Sequence, residues 1–395
     1  MGNEAAISIS EYGPLAAAFP GLRQIWLDIG CLATKLRSIC PAIAATGSPP
    51  ITALVLRDRM LRNRAVAVSL VHAAAASLLY LDLGHAAIDT ACEVLWNPDR
   101  QAAGPKPPFP QLAGLFMAID GLEGGAMPAP PPTCPFPKLK VLVCHAAAPP
   151  TRGTITTAEE RLGPMQYLVA ALLAHFPAQL WRLCIDDPGG NVPEMLSGKA
   201  QALDTVVLVR YCLFDGGGGS LQHVLDTVAA IPGLKAFTAV TVPAAAGLPL
   251  GLCCPDHASL RVLDIATWLL TLCDLQLLLS KLSRLEEARV TLAQPQTHPA
   301  HEDIGYNMAV QRLWINSAKG AHPEWDPDSL ESLITLLARI PRLSEVLLFA
   351  EAVRWLARAT AHRNRDDLLH LALHVNVGRC NADEKVVRRA TSLFL

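Results

Sequence analysis

One short pattern dominates this chain: apolar residues at offsets 0, 3 and 5, first seen in Phe19 to Ile29 as Leu22, Ile25 and Leu27. That spacing gives one buried position followed by a short alternating strand. Further matches start at Ile51, Leu78, Leu112, Leu139, Leu180, Leu203, Leu234, Leu260, Leu285, Val310, Leu343 and Leu368. A single match carries little information, because in a chain that is 51% hydrophobic three fixed positions are all apolar about one time in eight. The intervals carry the argument. Successive starts lie 23 to 41 residues apart, and periods in this range mark stacked supersecondary units.

A second regularity keeps the same register. Phe19-Pro20, Phe109-Pro110, Phe136-Pro137, Ile231-Pro232 and Ile340-Pro341 each stand just ahead of a cassette, and Phe176-Pro177 does so with one extra residue. Proline cannot continue a helix and biases its predecessor toward extended geometry, so each pair marks a helix ending and a strand about to begin. Between cassettes the spacing turns helical. Leu221, Val224, Leu225 and Val228 follow 0, 3, 4, 7, as do Leu330, Leu333, Ile334 and Leu337, the latter after an N-cap at Asp326 and a proline at the first helical position. Strand, helix, strand at a period near 28 predicts an α/β solenoid with parallel strands inside and helices outside.

Leu22-x-x-Ile25-x-Leu27, Leu78-x-x-Leu81-x-Leu83, Leu180-x-x-Leu183-x-Ile185 and Leu260-x-x-Leu263-x-Ile265 resemble the LxxLxL core of leucine-rich repeats. The long repeats and the Phe-Pro junctions are most similar to the irregular arrays of fungal F-box proteins. The resemblance implies a leucine-rich-repeat solenoid, a horseshoe of about thirteen irregular repeats occupying 19–381, with an N-terminal cap over 1–18 and a C-terminal helix or cap over 382–395. It also implies a protein or peptide ligand, or else substrate recognition within an SCF-type ubiquitin ligase and contact with its subunits. The 21 residues ahead of Leu22 are too few for an F-box domain, so the ligase role would fall to an F-box-like chain that lacks that domain. Leucine-rich repeats usually set Asn or Cys shortly after the last core leucine; here Cys31 and Cys212 come close, while most repeats offer Gly, Ala or Pro.

Composition narrows the function classes. With 51% hydrophobic and 17% charged residues the chain folds rather than staying disordered. Lys plus Arg total 33 against 35 Asp plus Glu, with no long run of either sign, which argues against nucleic-acid binding. Eleven scattered cysteines without a CxxC read as buried thiols. No basic, apolar leader follows Met1, Ala6 stands where a myristoylation motif wants Ser or Thr, and Ala65 to Leu81 is too short for a membrane span. A cytoplasmic or nuclear location follows as an expectation, with no membrane partner.

Chemical motifs are sparse. Asp215 to Ser220 is glycine-rich but lacks the Gly-Lys-Ser/Thr ending of a phosphate loop. His298, His301, Glu302 and Asp303 are the densest ligand set, with no second cluster, and read as a solvated loop. His370 and His374 would sit on a strand and read as surface histidines. Neighbouring carboxylates such as Asp186-Asp187 and Glu286-Glu287 point apart on a strand or turn. No GxSxG or HExxH is present. A non-catalytic chain is expected, with no cofactor and no metal. Insertions after Ala146, through the proline-dense 128–137 and over Gln294 to Asn307 read as loops and connectors.

The surface that acts should be the outward face of the strands, at offsets 2, 4 and 6. Trp26, Asp28, Arg57, Tyr80, Asp82, Arg182, Asp186, Asp264, Arg289, Arg312 and Trp314 occupy it as candidate protein-binding residues, joined by Phe116, His145 and Phe349. Aromatic and arginine side chains are the usual anchors of protein interfaces. Reversing Arg182 and Arg289 to Glu is expected to weaken binding with little change in stability. In the middle repeats the outward positions Val141, Val143, Thr205, Val207, Val209, Ala236, Thr238 and Val240 carry no charge. They read equally as good strand formers or as an apolar patch awaiting a partner.

Overall fold

A computed structural model describes residues 23–27, 50–56, 64–96, 108–121, 134–146, 168, 171–173, 179–186, 196, 202–209, 225, 228–229, 231–240, 259–293, 309–317, 325–349, 352–355 and 375–377. Both expected caps, the insertion beyond Ala146, residues 128–133, the Gln294 to Asn307 segment, the glycine run and the histidines at 298, 301, 370 and 374 lie outside the described residues. The chain divides into two compact units, Met1–Asp186 and Asp187–Leu395.

In the first unit the strands are β1 (Gln24–Leu27), β2 (Ala53–Leu56), β3 (Tyr80–Ala87), β4 (Gly114–Gly121), β5 (Val141–Ala146) and β6 (Arg182–Asp186). The second holds β7 (Thr205–Val209), β8 (Ala236–Val240), β9 (Val262–Leu270), β10 (Glu287–Leu292), β11 (Arg312–Ser317), β12 (Glu345–Leu348) and β13 (Val375–Val377). Within each unit the strands lie side by side in chain order, and the registers seen between them are all parallel. From β1 to β12 every strand starts two residues after the first residue of a cassette. Like offsets therefore face like. Leu54, Leu81, Leu115, Leu142 and Leu183 form one aligned row, and Val206, Phe237, Leu263, Ala288, Leu313 and Val346 form its counterpart in the second unit.

Burial matches the pattern. In the cassettes from Ile51 to Leu343, the residues at offsets 0, 3 and 5 are 0–3% exposed. This is the leucine-rich-repeat arrangement of parallel strands over a leucine core. The thirteenth strand departs from expectation. Val346 pairs with Val375, so the strand sits four residues beyond the one expected at Leu371 and Leu373. Ala372, Val375 and Val377 also satisfy the 0, 3, 5 pattern, and pairing with β12 selects these β-branched residues.

Backbone hydrogen bonds explain the fixed starting point. The carbonyl one residue into a cassette accepts two bonds from the next rung, from the N–H groups at offsets 1 and 2. Ten such forks span 2.7–3.1 Å, with acceptors Arg23, Thr52, Leu79, Ala113, Lys140, Asp204, Lys235, Arg261, Glu286 and Gln311. The proline junctions feed this edge through tight turns. Leu139 N–H donates to Phe136 C=O at 3.1 Å, Leu234 to Ile231 at 3.1 Å and Leu343 to Ile340 at 3.4 Å, with proline at the second turn position. Phe109, Phe136, Ile231 and Ile340 are themselves buried at 0–4%.

Helices connect the strands: α1 (Arg64–Ala74), α2 (Ile88–Trp96), α3 (Leu272–Lys281) and α4 (Pro327–Ala338). The Ala65 to Leu81 run is accordingly a helix that leads into β3, and no described helix is long and apolar enough to cross a membrane. Buried His72 ties α1 to α2 through a 2.9 Å bond between Nε2 and Val94 C=O, its ring meeting Phe109 edge-on at 6.3 Å. A capping box starts α3, Thr271 and Asp274 bonding each other's backbone N–H groups at 3.0–3.1 Å. Cys92, Cys134, Cys144, Cys184 and Cys273 are thiols outside any disulfide, and burial pushes those of Cys134 and Cys273 above the usual range.

α4 follows its sequence reading, with Asp326 as N-cap accepting from Ser329 N–H at 2.9 Å and Ser329 Oγ at 2.6 Å. The Ser329 hydroxyl, then its backbone N–H, hold the Asp326 carboxyl below the ordinary aspartate range. A depressed folded pKa means the stabilisation is whole above the ordinary value and is lost as pH falls through the folded one. Asp326→Ala should cost about 0.5–1 kcal/mol at neutral pH, low in the capping range because solvent screens the site, and the difference should vanish in acid. Leu263, only 1% exposed, sets the core scale. Leu263→Ala should cost about 2–5 kcal/mol in denaturant unfolding; an indifferent midpoint would remove it from the core row.

Candidate functional site

Alternation along each strand sends offsets 2 and 4 to the face opposite the leucine core. Offset 4 proves to be covered as well. Val55, Phe116, Val143 and Cys184 in the first unit, and Val207 and Thr238 in the second, are only 1–9% exposed. The chain's own atoms shield them, so Val143, Val207 and Thr238 of the middle stripe are not a bare apolar patch; the side chains of Val209 and Val240 lie outside the described residues. Val141, Thr205 and Ala236, at offset 2, are half-buried.

In the second unit the outward face becomes polar, and three rungs share one connected cluster, with a fourth beside it in register. Register places Asp264, Arg289 and Trp314 side by side at offset 4, and Glu287, Arg312 and Glu345 at offset 2. Arg289 lies 3.7 Å from Asp264 Oδ2 and 3.7 Å from Glu287 Oε1, with its guanidinium carbon 4.3 Å from the Trp314 ring centre. Glu287 also accepts from Arg312 at 2.7 Å. A guanidinium on an indole face gains a cation–π attraction, and partial burial strengthens both pairings. Arg289 keeps only 17% side-chain exposure, whereas Arg312 keeps 47%. Arg289 is thus a fixed internal strut and Arg312 its accessible end. This corrects the expectation for Arg289→Glu: the change would set a third carboxylate against Asp264 and Glu287, at a cost in stability.

Glu287, absent from the sequence candidates, joins both arginines. Its place at offset 2 of the tenth cassette was the available signal. It also shows why Glu286-Glu287 cannot act as an acid–base pair, since Glu286 turns the other way to meet Arg261 at 3.2 Å.

Two aspartate candidates serve the backbone. Asp82 Oδ1 accepts from Gly84 N–H at 2.8 Å, with Gly84 at φ 54°, and Asp264 Oδ1 accepts from Ala266 N–H at 3.3 Å. Each lies where the strand register shifts, so the carboxylate holds the chain through a bulge. The Asp82 turn needs the left-handed conformation that glycine adopts freely. Beside it Tyr80 stacks on Phe116 with ring centres 4.7 Å apart, and Gly114 leaves room: a Cβ there would lie 3.1 Å from Phe116 and 3.2 Å from Tyr80. Arg182 lays its guanidinium 4.4 Å over Trp181, a residue not among the candidates. The side chains of Trp26 and Asp186, and residues Asp28 and Arg57 entirely, lie outside the described set. Among the described residues no three His, Cys, Asp or Glu side chains gather as metal ligands.

No protein-family model matches the chain, and no curated protein sequence matches it. Among solved structures, the chain is similar to the leucine-rich-repeat-containing protein LegL7 from Legionella pneumophila, at 13% identity and a TM-score of 0.36, over 85% of this chain and 96% of that one.

The cluster makes a quantitative expectation. In a double-mutant cycle of Glu287→Gln with Arg312→Gln, the coupling should be about 0.5–1 kcal/mol, as one partner is half exposed. Glu287→Gln alone should cost more, about 1–3 kcal/mol, because it also strips a partner from the enclosed Arg289. Denaturant unfolding at low and high salt measures both.

Proposed function

We propose that the chain is a non-catalytic protein-binding scaffold that holds a protein or peptide on the outward face of β9 to β12. One observation carries this reading: the Asp264, Glu287, Arg289, Arg312 and Trp314 cluster is pre-assembled on neighbouring rungs, with Arg312 left half exposed. A fixed aromatic and arginine surface costs little ordering on contact, which is what an interface anchor requires. Glu345 lies beside Arg312 in register and Leu347 beside Trp314, extending the surface by one polar and one apolar position.

The ubiquitin-ligase role implied by the fungal F-box resemblance is a narrower form of the same reading, in which the bound protein is a substrate and adaptor subunits join elsewhere. One experiment addresses both. The full chain and an Arg312→Ala, Glu345→Ala variant are used as baits in quantitative affinity purification. Partners of the parent should fall about 10-fold in the variant, with melting temperatures within a few degrees, since both side chains are accessible. An unchanged partner set would remove this face from the account. Ligase adaptors captured equally by both baits would favour the receptor form.

A further inference from the structure

The start of each rung forms a second surface, and it differs between the units. In the first unit the residues at offset 1 are Arg23, Thr52, Leu79, Ala113, Lys140 and Trp181, each joined by its N–H to the carbonyl of the one before at 2.8–3.0 Å. This is a continuous row along the strand starts, with rungs about 4.8 Å apart. The large hydrophobic side chains exposed among the described residues are Leu79 at 47% and Trp181 at 38%, and both stand on it. Among the described residues the charges on this row and at its flanks are positive. Arg23, Lys138 and Lys140 are exposed, and Arg182 covers one face of Trp181. Lys138 bonds neutral Gln111 at 2.7 Å, and no Asp or Glu occupies offset −1 or 1 of these rungs among the described residues.

The second unit shows what a self-contained edge looks like. There the same row reads Asp204, Lys235, Arg261, Glu286, Gln311 and Ser344, and its charges cancel across rungs, Lys235 with Asp204 at 3.7 Å and Arg261 with Glu286 at 3.2 Å. Exposed Arg284 and Arg342 flank that row at offset −1. The first unit repeats the backbone of this edge with, among the described residues, no acid on the row, and adds two exposed apolar side chains.

We infer that the strand-start edge of the first unit is a docking surface for an acidic protein segment carrying a large apolar residue, with Lys138, Lys140 and Arg182 meeting its carboxylates and Trp181 and Leu79 its apolar side chains. Charge complementarity names the class of partner. Nucleic acid fits less well. Tight phosphate-backbone binding draws on about 6–10 cationic contacts, more than this row supplies. The aliphatic Leu79 has no role against phosphates, and Arg182 already occupies a face of the exposed Trp181 indole. This surface is separate from the face of β9 to β12, so either assignment can fail alone.

The test uses the full chain and a fluorescent library of 15-residue peptides, each with six Asp or Glu around one Trp, Phe or Leu. A matched library carries Asn and Gln in their place. Acidic peptides should bind at least about 10-fold more tightly than their amide counterparts, and lose that advantage with added salt. Lys138→Glu with Lys140→Glu, and separately Trp181→Ala, should each weaken the best acidic peptide about 10-fold, while Arg261→Gln leaves it unchanged. Circular dichroism melts of the lysine variant should match the parent, since the side chains are exposed. If neither library binds, if both bind alike, or if the lysine variant binds as the parent does, the proposal is overturned. It is overturned equally if a single-stranded oligonucleotide or phosphatidylserine vesicles bind with the same lysine dependence and the peptides do not.

Discussion

Everything in this chain depends on one backbone acceptor per rung. The carbonyl at offset 1 receives two N–H groups from the following rung, and this fork fixes where a strand may begin. Register in a parallel pair could otherwise slip, and a slip by one residue would exchange the core face for the outer one. Leucines cannot prevent that alone, because an apolar row tolerates displacement along its length. The fork and the tight turn before it define the phase, and the buried residues supply the driving force.

Once the phase is set, each column has a separate task. Offsets 0, 3 and 5 fill the core, and offset 4 is also enclosed at Val55, Phe116, Val143 and Cys184 in the first unit and at Val207 and Thr238 in the second. In the second unit charge enters the offset-4 column at Asp264 and Arg289, where the partners Glu287 and Trp314 are a rung or an offset away. An enclosed guanidinium without them would be costly, so the cluster is as much a structural solution as a surface. The strand-start row is different. Its members donate and accept through the backbone, which leaves their side chains free to be leucine, lysine or tryptophan.

Local features were the legible ones. The cassettes, the Phe-Pro turns and α4 with its Asp326 cap could be read from sequence because each depends on residues within a few positions of one another. The strand at 375–377 could not, since overlapping patterns starting at Leu368 and Ala372 both satisfy the spacing and only the partner strand chooses. The enclosure of Val143 and Val207 was hidden for a related reason: burial of an outward face depends on what lies across it. The offset of Asp82 and Asp264 suggests contact residues, yet a carboxylate two residues before an N–H that leaves the strand ladder has a nearer task. Glu287 has the right offset, yet acidic side chains are not typical anchors, and its importance comes from the two arginines it joins.

The order of the strands has a mechanical consequence. Within either unit each strand is bonded to its predecessor and successor in the chain, so a pull on the unit's two ends loads the outermost rung first and the interior rungs in turn. Such a stack peels instead of shearing. Its force–extension trace would be a run of small, similar drops, each releasing the 25 to 41 residues that separate one cassette from the next within a unit, and the material would behave as a soft spring assembled from stiff coils.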